Sequence, residues 1–214
     1  MKDKRMKHTQ VLSIEDPRAI LSAIEIIAQG GLIAFPTDTI YGVACDPHNG
    51  SAILDLYKAK NRPPDKAIPV LIGNIEQLYL LTPIVKDRVH RLADAFWPGA
   101  LTLVLPKKEG FPKELSRYNT IGLRMPNHAF TIELLQKSGP LATTSANLSG
   151  SPNLVDAQDV LSQLGGRIEL VLDGGRTAGE TASTVVDCTH DDLIVLRQGL
   201  ISIDELNSIW EKAI

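Results

Sequence analysis

The sequence predicts an α/β protein, one open sheet of mixed strand direction with helices packed on it. Short apolar runs bounded by glycine or proline alternate with segments of helical period along the 214 residues. They lack a strict βαβ period, which favours a mixed sheet over a doubly wound one. No repeat, low-complexity tract or long linker interrupts them, and a chain that is 43% hydrophobic can bury one sizeable core. A single domain over 13–214 follows, with residues 1–12 as a flexible leading segment.

Asp16-Pro17 signals a helix start, an N-cap followed by proline at the first helical position, leading into Ile20, Ile24 and Ile27. Gly30-Gly31 stops it. Leu32 to Pro36 is a short buried strand, and Thr37 to Gly42 is its loop. From Ser51 onward, Ile53, Leu54 and Tyr57 share one helical face until Pro63-Pro64 forces an exit. Ile68 to Ile72 reads as a strand, Glu76 to Leu81 as helical, and Val85 to Phe96 as a charged helix ending at Trp97-Pro98-Gly99. Leu101 to Leu105 alternates most clearly, with Thr120 to Arg124 as its partner. A helix over 129–137 follows, then a strand over 141–145 that opens into a loop of small residues. Val155 to Leu164 is helical, Ile168 to Leu172 a strand and Asp173 to Arg176 a turn. Ser183 to Asp187 and Leu193 to Arg197 read as late paired strands.

A net charge of -3 and a pI near 5.9 argue against nucleic-acid binding by bulk electrostatics, while leaving room for a local basic groove. Cys45 and Cys188 lack a Cys-x-x-Cys spacing, so a zinc or thioredoxin-like site is not indicated and both are expected reduced in the core. The charged opening, Met1 to His8, precedes no apolar h-region, and nowhere do eighteen apolar residues run together. A cytoplasmic location without membrane attachment is the expectation. No Gly-x-Ser-x-Gly elbow and no clustered histidines and carboxylates point to a hydrolase or a metal site.

Basic, rigid and hydroxyl-rich residues instead gather in three clusters: Lys60 to Lys66, Ile121 to Pro126, and Thr143 to Gly150. Arginine and lysine beside prolines, with small hydroxyl side chains, suit phosphate and carboxylate groups. The glycine loops of common nucleotide sites are absent. Arg62 and Lys66 can offer charge to phosphates, while Ser145 and the N–H groups around Ala146 and Asn147 can cradle an oxyanion. Each cluster also has a plainer reading. The first can be a solvated helix end, Arg124 a surface ion pair, and the third a turn with a helix cap. Thr37, Asp38 and Thr39 can simply satisfy a turn, and Asp46 can fix the loop before Pro47.

The chain resembles the YrdC-like L-threonylcarbamoyladenylate synthases. The matching stretches are Phe35 to Gly42, Lys58 to Pro63, Trp97 to Thr102, Ile121 to Pro126 and Thr144 to Gly150, in the family's order. The resemblance implies a twisted open sheet with a concave basic cavity for ATP, accompanied by Mg2+, and L-threonine. The amine takes up bicarbonate or CO2, and the carbamate attacks the α-phosphorus of ATP to expel pyrophosphate. By position, Arg62, Lys66, Thr120, Ser145, Ala146 and Arg197 correspond to nucleotide contacts. Thr39, Arg124, Thr144 and Ser183 correspond to threonine contacts. Lys60, Arg62, Ser145 and Asn147 form the Lys-x-Arg and Ser-x-Asn pairs assigned to catalysis. The product passes to a transferase that modifies tRNA adenosine, and weak RNA binding is a possible addition. Many relatives have a histidine in the strand where this chain reads Ile68-Pro69-Val70-Leu71, so the resemblance does not extend to that contact. The ending at Ile214 matches the family's short form. Two rivals keep the fold: an RNA-binding module, and a carbamoyl-transfer relative with another substrate.

Overall fold

The computed structural model describes residues 8–64, 66–179 and 181–211. In chain order these form β1 (Gln10–Ser13), α1 (Ala19–Ala28), β2 (Ile33–Phe35), β3 (Gly42–Cys45), α2 (Gly50–Ala59), β4 (Val70–Leu71), α3 (Leu78–Leu81) and α4 (Asp87–Phe96). There follow β5 (Leu101–Pro106), β6 (Thr120–Arg124), α5 (Ala129–Ser138), β7 (Leu141–Ser145), α6 (Ala157–Leu164), β8 (Leu170–Asp173), β9 (Thr184–Asp187), β10 (Ile194–Arg197) and α7 (Ile203–Trp210). The strands form one sheet in the order β1-β8-β2-β3-β7-β4-β6-β5-β9-β10. Its direction is mixed as expected: β4 runs parallel to β6 and antiparallel to β7, while β5 runs parallel to β9 and antiparallel to β6.

Alternation in the strands decides which face is core. Leu101, Leu103 and Leu105 of β5 and Ile121 and Leu123 of β6 are buried in the larger core, with α2, α4, α6 and α7 contributing from the same side. Each such side chain contributes about 1.5–3 kcal/mol by leaving water. On the opposite face, α1 and α5 pack over Leu12, Ile33, Phe35, Ala44, Leu141, Leu170 and Leu172. That covering stops at Leu71. From there toward β10, the face is walled by Thr102, Val104, Thr120, Gly122 and Arg124, which line a cavity.

Several elements differ from the expectation. Gly42, expected to end the loop after β2, instead opens strand β3, which pairs with β2 on one side and β7 on the other. Its small residues lack a strand signature, and pairing on both sides, to the wholly buried β2 and to β7, supplies the stability instead. Residues 10–12, placed in the leading segment, belong to β1, which pairs with β8; Met1 to Lys7 lie outside the described residues. Asp16 does not cap α1. Its carboxylate accepts from the backbone N–H of Arg18 at 2.9 Å, and the helix begins two residues beyond Pro17. Helix α7 was not anticipated, although Ser202 and Glu205 form a reciprocal capping box at its start. Both cysteines are buried and free.

The seat of α5 on the sheet depends on Gly73. A Cβ there would stand 2.6 Å from the Gln136 nitrogen and 2.8 Å from the Ile132 oxygen, both backbone atoms of α5. Gly73→Ala is therefore expected to lower unfolding stability by about 1–3 kcal/mol through overpacking. Denaturant melts of the two proteins check this, and an unchanged midpoint would contradict it.

Candidate functional site

The cavity encloses about 430 Å³ and draws its walls from β3 to β7 and from β9 and β10, with the loops at 37–41 and 182–183. Arg62, Arg124 and Arg197 line it, and no Asp, Glu, Lys, His or Cys is among the described residues that do. Hydroxyls fill the spaces between the guanidiniums: Thr37, Thr39, Thr102, Thr120, Thr143, Thr144, Ser145 and Ser183. The strand pattern explains this composition. Thr102 and Val104 alternate with the core leucines of β5, and Gly122 faces Pro69 and Thr102, whose carbons would lie 3.3 Å from any Cβ there.

Arg124 is the most buried of the three arginines. Its Nε donates to the Gly99 carbonyl at 2.9 Å, Nη1 to Thr39 Oγ1 at 3.0 Å, and Nη2 to Asp38 Oδ1 at 2.5 Å. Burial pushes its pKa down, while the Asp38 carboxylate pulls it back up. The surface ion pair allowed by the sequence is thus a nearly enclosed one, with side chains 8% and 16% exposed. Thr37 carries out the turn role anticipated for it: its Oγ1 accepts from the N–H groups of Thr39 and Ile40 and donates to the Ile40 carbonyl. Asp46 likewise fixes its loop by accepting from the His48 N–H. At the far wall, Arg197 donates through Nε and Nη2 to the Ser183 carbonyl at 3.1 and 2.9 Å, and Ser183 Oγ lies 2.8 Å from Thr102 Oγ1.

Eight of the twelve residues singled out from the sequence meet in this cavity: Thr39, Arg62, Thr120, Arg124, Thr144, Ser145, Ser183 and Arg197. Four do not line it. Lys66 is exposed, and its neighbour Asp65 lies outside the described residues. Ala146 is wholly buried and its N–H donates to the Tyr41 carbonyl at 2.8 Å, so that group is spent on the sheet and does not form the expected cradle. Lys60 is also buried, with its ammonium donating to the carbonyls of Ser145 and Asn147. Burial, with Arg62 nearby, pushes its pKa down to about 7. The Asn147 amide donates to the Leu148 and Ser151 carbonyls. Lys60 therefore braces the end of β7, through the Ser145 carbonyl, and Asn147 ties together the loop that follows. Thr37, Thr102, Thr143 and Tyr118 also line the cavity without having been picked out as contacts. The alternation of β5 could have found Thr102; nothing local distinguishes Tyr118.

A cavity of this size lined by a buried guanidinium, two further guanidiniums and many hydroxyls defines an α/β protein whose cavity has the chemistry to accept anionic small molecules. The Sua5_yciO_yrdC family model, described as telomere recombination, matches residues 25–199, and the chain belongs to this family. A threonylcarbamoyl-AMP synthase of Bacillus subtilis is 38% identical over 214 residues, covering 98% of this chain and 62% of that protein. A putative threonylcarbamoyl-AMP synthase of Mycobacterium tuberculosis is 38% identical, covering 94% of this chain and 95% of the relative. The crystal structure of P. abyssi Sua5 complexed with L-threonine superposes with a TM-score of 0.88 at 35% identity, covering 95% of this chain and 60% of that one. The chain thus spans less than two thirds of two of these three proteins. No helix among the described residues is long and apolar enough to cross a membrane.

Lys60→Met tests the bracing of β7. It keeps most of the side chain but leaves two buried carbonyls without their donor, so stability is expected to fall by about 1–3 kcal/mol. Thermal unfolding measures this; a variant as stable as the wild type would remove the structural role.

Proposed function

We propose that this chain is an L-threonylcarbamoyladenylate synthase: it converts L-threonine, bicarbonate or CO2, and ATP to threonylcarbamoyl-AMP and pyrophosphate, for modification of tRNA. The observation that carries the reading is Arg124, a buried guanidinium held at the cavity wall among hydroxyls. Such a fork suits an amino-acid carboxylate, and Thr39, Thr144 and Ser183, which line the same cavity, would read the amine and side-chain hydroxyl. Arg62 and Arg197, with Thr120 and Ser145, suit the phosphates.

The chemistry asks little of acid-base groups. The threonine amine, once its proton has passed to solvent, combines with bicarbonate to give a carbamate and water. A carbamate oxygen then attacks the α-phosphorus, and the bond to pyrophosphate breaks. A lining with no Asp, Glu, Lys, His or Cys among the described residues is consistent with a transfer driven by approximation and by guanidinium stabilisation of phosphate charge. No cluster of metal-ligating side chains occurs among the described residues. Mg2+ would thus enter on the phosphates of ATP, completed by water, and would balance their charge. The product, an activated anhydride, passes to a transferase acting on tRNA in the cytoplasm.

Two measurements test this. Purified protein is expected to release pyrophosphate from ATP only with both L-threonine and bicarbonate present, with the adenylate detectable by mass; release independent of threonine would sink the proposal. Arg124→Ala is expected to raise the KM for threonine about 10- to 100-fold, as loss of a charged hydrogen-bonding group does, and Arg62→Ala to act mainly on ATP. Equal effects of both variants on both substrates would contradict the division of the site.

A further inference from the structure

Arg124 is held by groups from two segments distant in sequence, and one of these groups does not itself line the cavity. Asp38 is not among the cavity-lining residues, yet its carboxylate makes the 2.5 Å bond to Nη2. The other distant anchor is the Gly99 carbonyl on Nε. Gly99 is itself fixed, because its N–H donates to the Met125 carbonyl at 2.8 Å and Trp97 Nε1 closes the loop onto the Leu101 carbonyl at 2.8 Å. The backbone around Asp38 is equally confined: a Cβ on Gly179 would meet the Asp38 oxygen and the Thr39 Cα at 3.0 Å.

Donor counting shows the consequence. A guanidinium has five N–H groups. Gly99, Thr39 and Asp38 take one each, from Nε, Nη1 and Nη2. One N–H remains on each terminal nitrogen, enough for two hydrogen bonds to a carboxylate. A flexible arginine would lose rotamer entropy on binding; this one has lost it on folding.

We propose that Asp38 is a positioning residue for the carboxylate ligand: from behind the cavity wall it fixes the plane of the Arg124 guanidinium so that its two remaining N–H groups face the site. The assignment deepens the reading of the cavity as a threonine site and rests on it for the identity of the ligand. It also gives the Trp97 to Thr102 motif a task, since that turn delivers the Gly99 anchor.

The test compares Asp38→Ala and Asp38→Asn in steady-state kinetics. Asp38→Ala is expected to raise the KM for L-threonine about 10- to 100-fold, the scale of an ångström-level misplacement, while the KM for ATP moves less than about twofold. Asp38→Asn keeps an acceptor oxygen and should recover most of the loss. An unaltered threonine KM, an equal rise for ATP, or no recovery in Asp38→Asn overturns the proposal. If Asp38→Ala does not fold, Asp38→Asn is read alone, with a rise of about 3- to 10-fold expected and no rise decisive against it. If the wild-type protein releases no threonine-dependent pyrophosphate, the catalytic reading fails separately. The Asp38 assignment is then decided by NMR of the Arg124 Nε–H: its exchange with solvent should quicken about tenfold or more in Asp38→Ala, and unchanged exchange refutes it.

Discussion

A guanidinium shut away at the end of β6 must find acceptors, and that requirement organises the cavity. Burying an unpaired charge costs several kcal/mol, so Arg124 is tolerable only because the 37–39 loop, the turn after α4 and the end of its own strand meet around it. The meeting in turn depends on strand order. Placing β4 and β7 between β6 and β3 leaves the loop after β2 to reach across to Arg124. Truncating a partner would harm both stability and ligand contact, which is why kinetic separation of the two substrates is the informative measurement.

The same economy operates under β7. Thr143, Thr144 and Ser145 line the cavity while their strand is held by pairing to β3 and β4, and its end by the Lys60 ammonium. Lys60 is a charged residue used to satisfy backbone, with its stem packed in the core. The Lys-x-Arg pair is therefore divided in depth: Lys60 lies beneath the sheet, and Arg62 lines the cavity. The family resemblance named both residues of the pair together. It had no means of saying which of them a ligand could touch.

Strands with strong alternation were legible. The spans predicted for β6 and β7 agree with the structure residue for residue, and β5 differs only by the inclusion of Pro106. Elements that depend on distant partners were not: β3 is made of glycine, valine, alanine and cysteine, and β1 is four residues with one buried side chain. Helix α7 was overlooked despite its capping box, a local signal that was present and passed over. The core face of α1 also shifted, since Ala19, Ala23 and Ile27 are buried where Ile20 and Ile24 were expected. Close approach to the sheet favours small residues at the contact.

By itself, the sequence determined the class of fold, the clusters of cations and hydroxyls, and the motif order that ties the chain to its family. These are local or additive properties: periodicity, residue chemistry and spacing survive without knowledge of contacts. Tertiary structure alone decided which members of each cluster face the cavity, that Ala146 spends its N–H on Tyr41, and that Asp38 reaches Arg124. Each of those outcomes depends on a hydrogen bond or packing contact between residues tens of positions apart, and competition for a single donor or acceptor is resolved only when the chain has closed on itself.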